Sequence, residues 1–493
     1  MAVITKEIRD QYKVTIGIEC HVQLKTKTKL FSAVNNDARG AEPNTLISHI
    51  DLGMPGALPV LNQAAVDLGS KAAFALGSTP SKFSTFDRKH YFYPDLPMGY
   101  QITQFYHPIV LGGTVTIEVD GVKKNIGITR AHLEADAGKS THPANADYSL
   151  VDLNRAGTPL LEIVSEPEIN SPAEARAYAH ELFLLMKYAD ISDADLFHGN
   201  MRFDVNVSVS KTNDLGTRTE TKNLNSFRSV EKAAEYEISR QIELLEKGQA
   251  IVQETRGWDE AKQRTASQRG KEQAHDYRYM PEPDIPPVTL SDEYIANIKN
   301  SMPSLPAEWR DKLHKLGLDH SQTEILVEAE VADSQVSYRT IIEPAIEKAD
   351  SAKQIANWLV NTEIPFRAAE GNVVLLSQDD RRTLYSELSK LVADSKLNSS
   401  NAKQVITDLL QVKKLTGSIE DYAESKGLIQ ESDDGAIEKI VLDVITANPD
   451  AAEDVRNGEM KAIGFLVGQV MKLSQGKANP SVAQTLLKKH LSL

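Results

Sequence analysis

The stretch KVTIGIECHVQL, residues 13–24, decides the fold, because apolar and polar residues alternate along its whole length. Alternation with a period of two is typical of a β-strand with one buried face. The apolar face runs from Val14 to Leu24, and the opposite face carries Glu19 and His21. The stretch therefore predicts a strand whose polar face presents a carboxylate and an imidazole side by side.

A similar polar face recurs in two other stretches. Residues 126–134 place His132 and Glu134 on one face, again two positions apart. Residues 201–209 alternate in the same way, and their polar face carries Asp204. Each stretch taken alone is also compatible with an ordinary exposed sheet face. The recurrence is what points to a shared site.

A fourth stretch, residues 159–166, is an almost wholly apolar run interrupted by Glu162. A carboxylate inside a buried strand is costly unless it is paired or binds a metal. If the four strands share one sheet, they form a carboxylate-rich surface of the kind that binds Mg²⁺ through oxygen ligands and serves a nucleotide's phosphates. Whether the strands converge is left open by the sequence.

Length and composition predict several domains. The chain has 493 residues, and single hydrophobic cores stop growing near ~250–300 residues. Of its 21 prolines, 15 lie before residue 300 among alternating stretches, whereas the remainder reads mostly as helix. The segment HDYRYMPEPDIPP (275–287) excludes helix interiors and central strands, so it predicts a linker or a stiff edge. We predict an α+β multidomain protein with a β-rich domain over residues 1–293, a helical domain over 294–400 and an all-α tail domain over 401–493.

Capping residues predict two helices in the β-rich part. Ser171 precedes a proline and is followed at the third helical position by Glu174, so a helix is expected to run from there to about Tyr188. A second helix is expected from about Ser226 to Gly248. Both are predicted to be scaffold.

Several classes of protein are excluded by what the sequence lacks. No apolar run reaches the ~18–20 residues that span a bilayer, and the start has no signal-peptide pattern, so a cytoplasmic protein without membrane contact is expected. The single cysteine, Cys20, leaves no internal disulfide and no thiolate zinc site, and its apolar face predicts a buried, inert thiol. Gly138-Lys139-Ser140 lacks the earlier glycine of a phosphate-binding P-loop.

The charge distribution limits where nucleic acid could bind. Against 55 basic residues stand 69 acidic ones, and a net charge of -14 repels polyanions if it is evenly spread. From residue 455 onward six basic residues face one acid, a local net charge of +5. This segment is either a solvated helix face or a polyanion-binding surface. Its candidate binding residues are Lys461, Lys472 and Lys477.

Eight motifs in this order resemble the GatB family of aspartyl/glutamyl-tRNA(Asn/Gln) amidotransferase subunits. The resemblance covers nearly the whole chain. The motifs are IGIECHVQLKTKTKLFS (16–32), DLGMPGALPVLN (51–62), FDRKHYFYPDLPMGYQITQF (86–105), ITRAHLEADAGKSTH (128–142), YSLVDLNRAGTPLLEIVSEP (148–167), TKNLNSF (221–227), DYRYMPEPDIPP (276–287) and GFLVGQVMKLSQGKANP (464–480).

The resemblance implies a ligase that forms a carbon–nitrogen bond with glutamine as amide donor. Members of this family have a kinase-like cradle domain, a helical domain and a YqeY-like tail domain that contacts tRNA. ATP phosphorylates the side-chain carboxylate of mischarged Glu-tRNA(Gln) or Asp-tRNA(Asn). Ammonia from an amidase partner then displaces the phosphate, and a small third protein completes a heterotrimer. The chain itself shows no amidase motif, which agrees with an external source of ammonia.

Carried over by motif, the resemblance implies roles for particular residues. The Mg²⁺ site falls on Glu19, His21, Glu134 and Glu162, with Asp204 as a neighbour. Apart from the motifs, phosphoryl transfer itself requires cations near the ATP phosphates, and the candidates for this role are Arg88, Lys89 and Lys139. The sequence departs from the family in two places, since the zinc-binding cysteine pairs of some members are absent from residues 31–44 and Ala135 stands where an additional acid often follows. No zinc is expected.

Two other functions are compatible with these residues. One is a non-catalytic tRNA-binding assembly subunit of the same complex, in which the carboxylate face is structural. The other is a metal-dependent phosphohydrolase that acts without tRNA. The response of ATP turnover to mischarged tRNA distinguishes all three.

Overall fold

The computed structural model describes residues 4–143, 146–270, 277–333, 336–371, 376–429, 434–457, 459, 461–474, 478 and 480–491. The chain forms two compact units, Met1–Pro306 and Ala307–Leu493. The first contains a large sheet with helices, and helices make up the second, so the predicted mixed α and β content is confirmed. The predicted boundaries at 293 and 400 stay predictions. No helix in the described ranges combines the length and apolarity needed to cross a membrane.

The first unit is organised by one large sheet. Its strand order is β14-β13-β12-β11-β1-β10-β7-β4-β3-β15, and β5 and β6 also pair with β7. Two small sheets pair β16 with β2 and β8 with β9. The strands are β1 (Lys13–Gln23), β2 (Phe83–Ser84), β3 (Asp87–His90), β4 (Tyr100–Thr103), β5 (Val110–Leu111), β6 (Thr114–Val119), β7 (Val122–Ala135), β8 (Lys139–Thr141), β9 (Leu150–Asp152), β10 (Pro159–Ser165), β11 (Met201–Ser210), β12 (Thr219–Leu224), β13 (Glu254–Asp259), β14 (Arg264–Gly270), β15 (Met280–Pro281) and β16 (Val288–Thr289).

Helices accompany the sheet in the first unit and form the second. The first unit holds α1 (Lys6–Arg9), α2 (Gln63–Ala75), α3 (Pro172–Tyr188), α4 (Phe227–Glu246) and α5 (Asp292–Asn300). The chain continues with α6 (Pro306–Lys315), α7 (His320–Ala332), α8 (Arg339–Ile342), a 3₁₀-helix (Glu343–Ala345), α9 (Ala349–Trp358), a π-helical turn (Leu359–Glu363), α10 (Ile364–Ala369), α11 (Gln378–Ala393), α12 (Ser399–Leu410), α13 (Ile419–Ser425), α14 (Asp434–Ala447), α15 (Pro449–Arg456), α16 (Lys461–Leu473) and α17 (Pro480–His490).

The apolar face of β1 forms the core of the sheet, as its alternation predicts. Ile16, Ile18 and Cys20 are almost completely buried in one hydrophobic cluster that also contains residues of α3 and α4. Burial raises the pKa of the Cys20 thiol well above its usual value, so the thiol is an inert core residue. The core therefore fixes which face of β1 is left for polar side chains.

The two predicted scaffold helices are confirmed. The backbone N–H of Glu174 donates to the hydroxyl of Ser171 at 3.1 Å, which caps α3. Ser226 caps α4 in the same way through the N–H of Ser229, at 3.0 Å. The second helix ends at Glu246, two residues earlier than predicted, and Gly248 follows with φ +71°. A glycine in that conformation ends helices readily.

The proline-rich segment 275–287 is an edge of the sheet in its described part, which begins at Tyr277. Met280 and Pro281 form β15, which pairs with Arg88 and Asp87 of β3 at one end of the strand order. A proline tolerates an edge position because it lacks a backbone N–H to donate. Of the two predicted alternatives, a linker or a stiff edge, the structure shows the edge. His275 and Asp276 lie outside the described residues.

Candidate active site

The strand register brings the predicted polar faces together in one sheet. His21 of β1 lies opposite Glu162 of β10, and Glu162 lies opposite His132 of β7. Glu19 lies opposite Asp204 of β11 on the other side of β1. The four stretches are therefore adjacent strands, β11-β1-β10-β7. Their convergence, which the sequence left open, is a property of the fold.

One cluster of metal-binding side chains is formed by His21, Glu134 and Glu162, whose ligand atoms all lie within 4.8 Å of one another. His21 Nε2 lies 3.3 Å from Glu162 Oε2 and 3.7 Å from Glu134 Oε1. His132 Nε2 lies 3.7 Å from an oxygen of each carboxylate. All four side chains are at most 13% exposed. Two carboxylates held this close, in so buried a place, require nearby positive charge.

A second cluster contains Glu19, Asp204 and Glu220, again with ligand atoms within 4.8 Å. Lys222 partly neutralises it, since its Nζ lies 2.6 Å from Asp204 Oδ2 and 3.6 Å from Glu220 Oε1. The side-chain amide of Asn206 donates to Glu19 Oε1 at 3.2 Å. The residues that the sequence predicted as one metal site are thus divided between two neighbouring clusters.

Each cluster reaches a cavity of about 720 Å³ through some of its members, Glu162 from the first and Glu19 and Glu220 from the second. His21, Glu134 and Asp204 lie behind them and are not among the lining residues. The cavity lining comes from both halves of the sheet, and it is rich in charged and aromatic side chains. The lining residues are Glu19, Lys89, Tyr91, Tyr93, Thr103, Gln104, Phe105, Arg130, His132, Glu162, Val164, Arg218, Glu220, Lys222, Gln253, Thr255, Tyr277 and Tyr279. A concave site with convergent charged groups is the usual form of an enzyme active site.

The two central glutamates differ in their electrostatic surroundings. Burial raises the pKa of Glu19, and the charges of Glu162 and Asp204 raise it further. Burial acts in the same direction on Glu162, but the imidazoles of His132 and His21 outweigh it and hold its pKa well below the usual value. The charges near Glu19 are therefore mainly negative, whereas the negative charge of Glu162 is balanced by two neighbouring imidazoles.

The chemistry of the donor atoms fits a divalent cation. Glu19, Asp204 and Glu220 offer only carboxylate oxygens, which Mg²⁺ prefers. In the other cluster His21 adds one imidazole nitrogen, and its Nδ1 is buried without a hydrogen-bond partner among the described residues. The residues present therefore fit a divalent cation in the cavity.

The three cations predicted to bind phosphate lie in different places. Lys89 lines the cavity, and although burial lowers its pKa, the charges of Glu134, Tyr279 and Glu162 raise it above the usual value. Arg88 forms ion pairs with Glu282 at 2.7 Å and with Asp284 at 3.2 Å, and it is not among the residues that line the cavity. Lys139 is exposed on β8 and is also outside that lining. The roles of all three stay predictions.

Other residues of the site were not singled out by the sequence. Arg218, Glu220 and Lys222 alternate along and just before β12, so they share one face, and all three line the cavity. Their alternate spacing in TRTETKNL is visible in the sequence, but the residues between them are polar threonines, so no apolar face marks which side is buried. Tyr277 and Tyr279 also line the cavity, although their segment was interpreted as a linker or an edge.

Polar side chains hold the segment of residues 31–44 in place. The amide of Asn36 donates to the backbone oxygen of Leu24 at 3.1 Å. Arg39 forms an ion pair with Asp37 at 2.8 Å, and this hydrogen-bonded pairing lowers the pKa of Asp37 to about 2. These bonds fix the segment without a thiolate.

The two candidate tRNA-binding lysines that are described lie on one helix. Lys461 and Lys472 are exposed residues of α16, and Gly464 and Gly468 lie between them. Spacings of three and four residues put all four positions on one helix face. A Cβ added to either glycine would meet nothing within 4 Å, so the backbone is open there. Lys477 lies outside the described residues.

The sheet and its cavity define a mixed α and β protein with two clusters of carboxylates at one charged cavity. The family model for the GatB/GatE catalytic domain matches residues 14–296, and that for the GatB domain matches residues 340–491. The chain therefore belongs to the GatB family.

Curated relatives resemble the chain over almost its full length. The protein of Carboxydothermus hydrogenoformans is 42% identical over 501 residues, covering 98% of this chain and 99% of the relative. That of Thermoanaerobacter pseudethanolicus is 43% identical, covering 98% and 100%. That of Halalkalibacterium halodurans is 44% identical, covering 97% and 98%. All three are named as B-type subunits of aspartyl/glutamyl-tRNA(Asn/Gln) amidotransferase.

Proposed function

We propose that the chain is the tRNA-binding and carboxylate-activating GatB subunit of a glutamine-dependent tRNA amidotransferase, working in the cytoplasm. The observation that carries this proposal is the pair of carboxylate clusters at one cavity. Membership of the GatB family supports the identity of the complex. Its partners are the amidase GatA, the small protein GatC and mischarged Glu-tRNA(Gln) or Asp-tRNA(Asn). The domain layout is the kinase-like cradle, helical domain and YqeY-like tail implied by the resemblance.

The reaction needs positioning and charge neutralisation more than a base. The substrate's side-chain carboxylate is already ionised, so its oxygen attacks the γ-phosphorus of ATP without losing a proton, and ADP leaves. Ammonia then attacks the carbonyl carbon, inorganic phosphate leaves, and the nitrogen loses a proton to give the amide. Both negatively charged reactants must meet in one cavity, which requires compensating cations.

The chain's own residues supply that compensation. Glu19, His21, Glu134, Glu162 and Asp204 would hold Mg²⁺, together with Glu220. When bound, Mg²⁺ neutralises phosphate charge. Lys89 faces the same cavity, and its raised pKa keeps its ammonium charged. No zinc is proposed.

Two further arginines add positive charge at the cavity. Arg130 and Arg218 line it, and neither forms an ion pair with any residue in the described part of the chain. A guanidinium without a carboxylate partner is available for bidentate contact with a phosphate. We therefore add both arginines to the predicted phosphate-binding cations.

The test of the proposed function is ATP turnover by the reconstituted complex with mischarged tRNA, with uncharged tRNA and without tRNA. We expect turnover to depend on the mischarged tRNA and to yield amidated product. Equal turnover without tRNA would identify a phosphohydrolase. Turnover that persists when both carboxylate clusters are neutralised would favour the non-catalytic assembly subunit.

Replacing Arg218 by glutamine is expected to raise the KM for ATP about tenfold, because a charge-assisted phosphate contact is lost. The residue is exposed and has no ion pair to break within the described chain, so stability is expected to be unchanged. Steady-state kinetics at saturating tRNA measures the effect. Lys139→Gln is the matched comparison, since it removes one charge outside the cavity lining. If the KM for ATP rose only in Lys139→Gln, the phosphate contact would be assigned to Lys139 instead of Arg218.

Removing Lys461 and Lys472 together is expected to weaken tRNA binding in a salt-dependent manner. Each lost phosphate contact lowers the slope of log affinity against log salt by roughly 0.7–0.9, so the double alanine variant flattens it by up to about 1.8. Binding titrations at several salt concentrations measure this slope. Lys247→Ala, which breaks a 2.7 Å surface pair with Glu243, is the control with an expected normal slope. An unchanged slope in the double variant identifies α16 as a solvated face.

A further inference from the structure

Arg88 and Lys89 are neighbours on β3, but their side chains lie in different surroundings. Adjacent residues of a strand point to opposite faces, and only Lys89 lines the cavity. The guanidinium of Arg88 donates to Glu282 through Nε at 2.7 Å and through Nη2 at 2.9 Å. Its Nη2 also donates to Asp284 at 3.2 Å. Arg88 is therefore bound to the proline-rich segment rather than directed into the cavity.

Arg88 and Glu282 form a bidentate ion pair that is largely buried. The Glu282 side chain is completely buried, whereas that of Arg88 is 20% exposed. The guanidinium also lies 4.4 Å above the ring of Tyr100, and its hydrogen bond with Glu282 raises the pKa of Arg88. A bidentate pair of this kind fixes geometry as well as charge. Without Arg88, Glu282 would be a buried charge lacking this partner.

The backbone alone attaches this segment weakly. β15 contains only Met280 and Pro281, and proline donates no backbone hydrogen bond. The backbone N–H of Glu282 donates to the oxygen of Phe86 at 2.9 Å just beyond the strand. The side-chain pair with Arg88 lies at this same point. The ion pair between Arg88 and Glu282 therefore strengthens a strand pairing that has few backbone hydrogen bonds.

The segment that is fastened in this way forms part of the cavity wall. Tyr279 stacks on Phe105 with ring centroids 3.9 Å apart and an interplanar angle of 11°. The Tyr277 ring lies 4.9 Å from the ammonium of Lys89. Burial raises the pKa of Tyr279 to about 12, so the wall presents a neutral phenol. Both tyrosines closely precede Glu282 in the sequence, so fixing Glu282 also restrains them.

We propose that Arg88 is a positioning residue that does not contact ATP. Through its ion pair with Glu282 it holds in place the tyrosine wall, the part of the cavity lining formed by Tyr277 and Tyr279. The side chain acts from the far side of β3 on the segment that carries Tyr277 and Tyr279. These rings in turn set the surroundings of Lys89 and the shape of the ligand site. The proposal rests on the proposed function only for its kinetic readout.

A double-mutant cycle in the assembled complex tests this role, using Arg88→Gln, Glu282→Gln and the double variant. Each single change is expected to raise the KM for ATP about tenfold with kcat lowered less than about threefold, because the wall shapes binding more than the chemical step. The double variant is expected to be no worse than the single variants, since they break the same pair. Arg88→Lys, which keeps the charge but loses the bidentate geometry, is expected to be intermediate.

Hydrogen exchange in the ligand-free complex separates positioning from direct phosphate contact. We expect faster exchange of the backbone amides in residues 277–284 in both single variants, with the rest of the chain unchanged. A raised KM in Arg88→Gln together with normal KM and normal exchange in Glu282→Gln would overturn the proposal in favour of phosphate contact. Normal exchange in both variants would overturn it as well. Should a variant unfold globally, Arg88→Lys supplies the same comparison.

The failure of this proposal is distinguishable from failure of the proposed function. A wild-type complex without tRNA-dependent ATP turnover refutes the function, and the exchange measurement then still decides whether Arg88 fastens the wall. A fully active wild type with unaltered exchange in the variants refutes the positioning role alone.

Discussion

Replacing Glu134 or Glu162 by glutamine is expected to abolish tRNA-dependent phosphoryl transfer, with a loss of about a thousandfold or more in ATP turnover. The two carboxylates lie within 3.7 Å of His21 Nε2, and each offers an oxygen to the same cluster. Glutamine keeps the size of the side chain but removes the charge that a divalent cation requires. The effect is therefore expected in turnover rather than in packing.

The controls for this prediction separate chemistry from folding. Glutamine hydrolysis by the amidase partner is expected to remain largely intact, which shows that the complex still assembles. Glu166→Gln removes one charge outside the cavity lining, where Glu166 accepts a hydrogen bond from Thr129 at 2.8 Å, and near-normal ATP turnover is expected. Wild-type turnover in Glu134→Gln and Glu162→Gln would contradict the metal assignment. Loss of assembly would instead favour a structural role for the carboxylates.

The central strands of the site were predictable because their two faces differ in polarity. In β1 the buried face is wholly apolar, so the residues left over, Glu19 and His21, are visible as the second face. β12 carries no such contrast. Its inward residues include Thr219, whose hydroxyl donates to the buried Glu237 at 2.7 Å. With polar residues on both faces, the sequence could not assign Glu220 to the site.

The cation assignments illustrate a second limit. β3 consists of Asp87, Arg88, Lys89 and His90, without an apolar residue to mark the inner face. Sequence reasoning could therefore predict a cationic strand but not which of its two cations reaches the cavity. The answer depends on the edge strand β15 and on Glu282 beside it, which binds Arg88 from a position 194 residues further along the chain. Such long-range pairing leaves no local pattern.

In the second unit, Glu363 and Arg381 form a buried ion pair whose disruption is expected to cost about 3–5 kcal/mol of unfolding free energy. Both side chains are at most 1% exposed, and the second carboxylate oxygen of Glu363 accepts a hydrogen bond from Tyr385 at 2.6 Å. Arg381 also donates to Gln378 at 2.6 Å. Glu363→Ala therefore leaves a buried guanidinium without its carboxylate.

Matched variants test whether charge pairing causes this cost. Glu363→Leu and Arg381→Met are each expected to be similarly destabilising, whereas the two replacements combined are expected to cost much less than the sum of these two single costs, because no unpaired charge remains. Arg382→Ala, in the next residue, breaks an exposed pair with Asp379 at 3.5 Å and is expected to cost about 0–1 kcal/mol.

Tryptophan fluorescence during urea unfolding is the suitable measurement, because two of the three tryptophans, Trp309 and Trp358, are buried in the second unit. Replacing Trp258 by phenylalanine in every variant makes the signal specific to that unit. Equal effects of Glu363→Ala and Arg382→Ala would show that the buried pair contributes no more than a surface pair. An additive double replacement would show that packing, rather than compensation of buried charge, makes Glu363 and Arg381 important. A large single cost with a small double cost means that each charge is tolerated in the helical core only because the other is present.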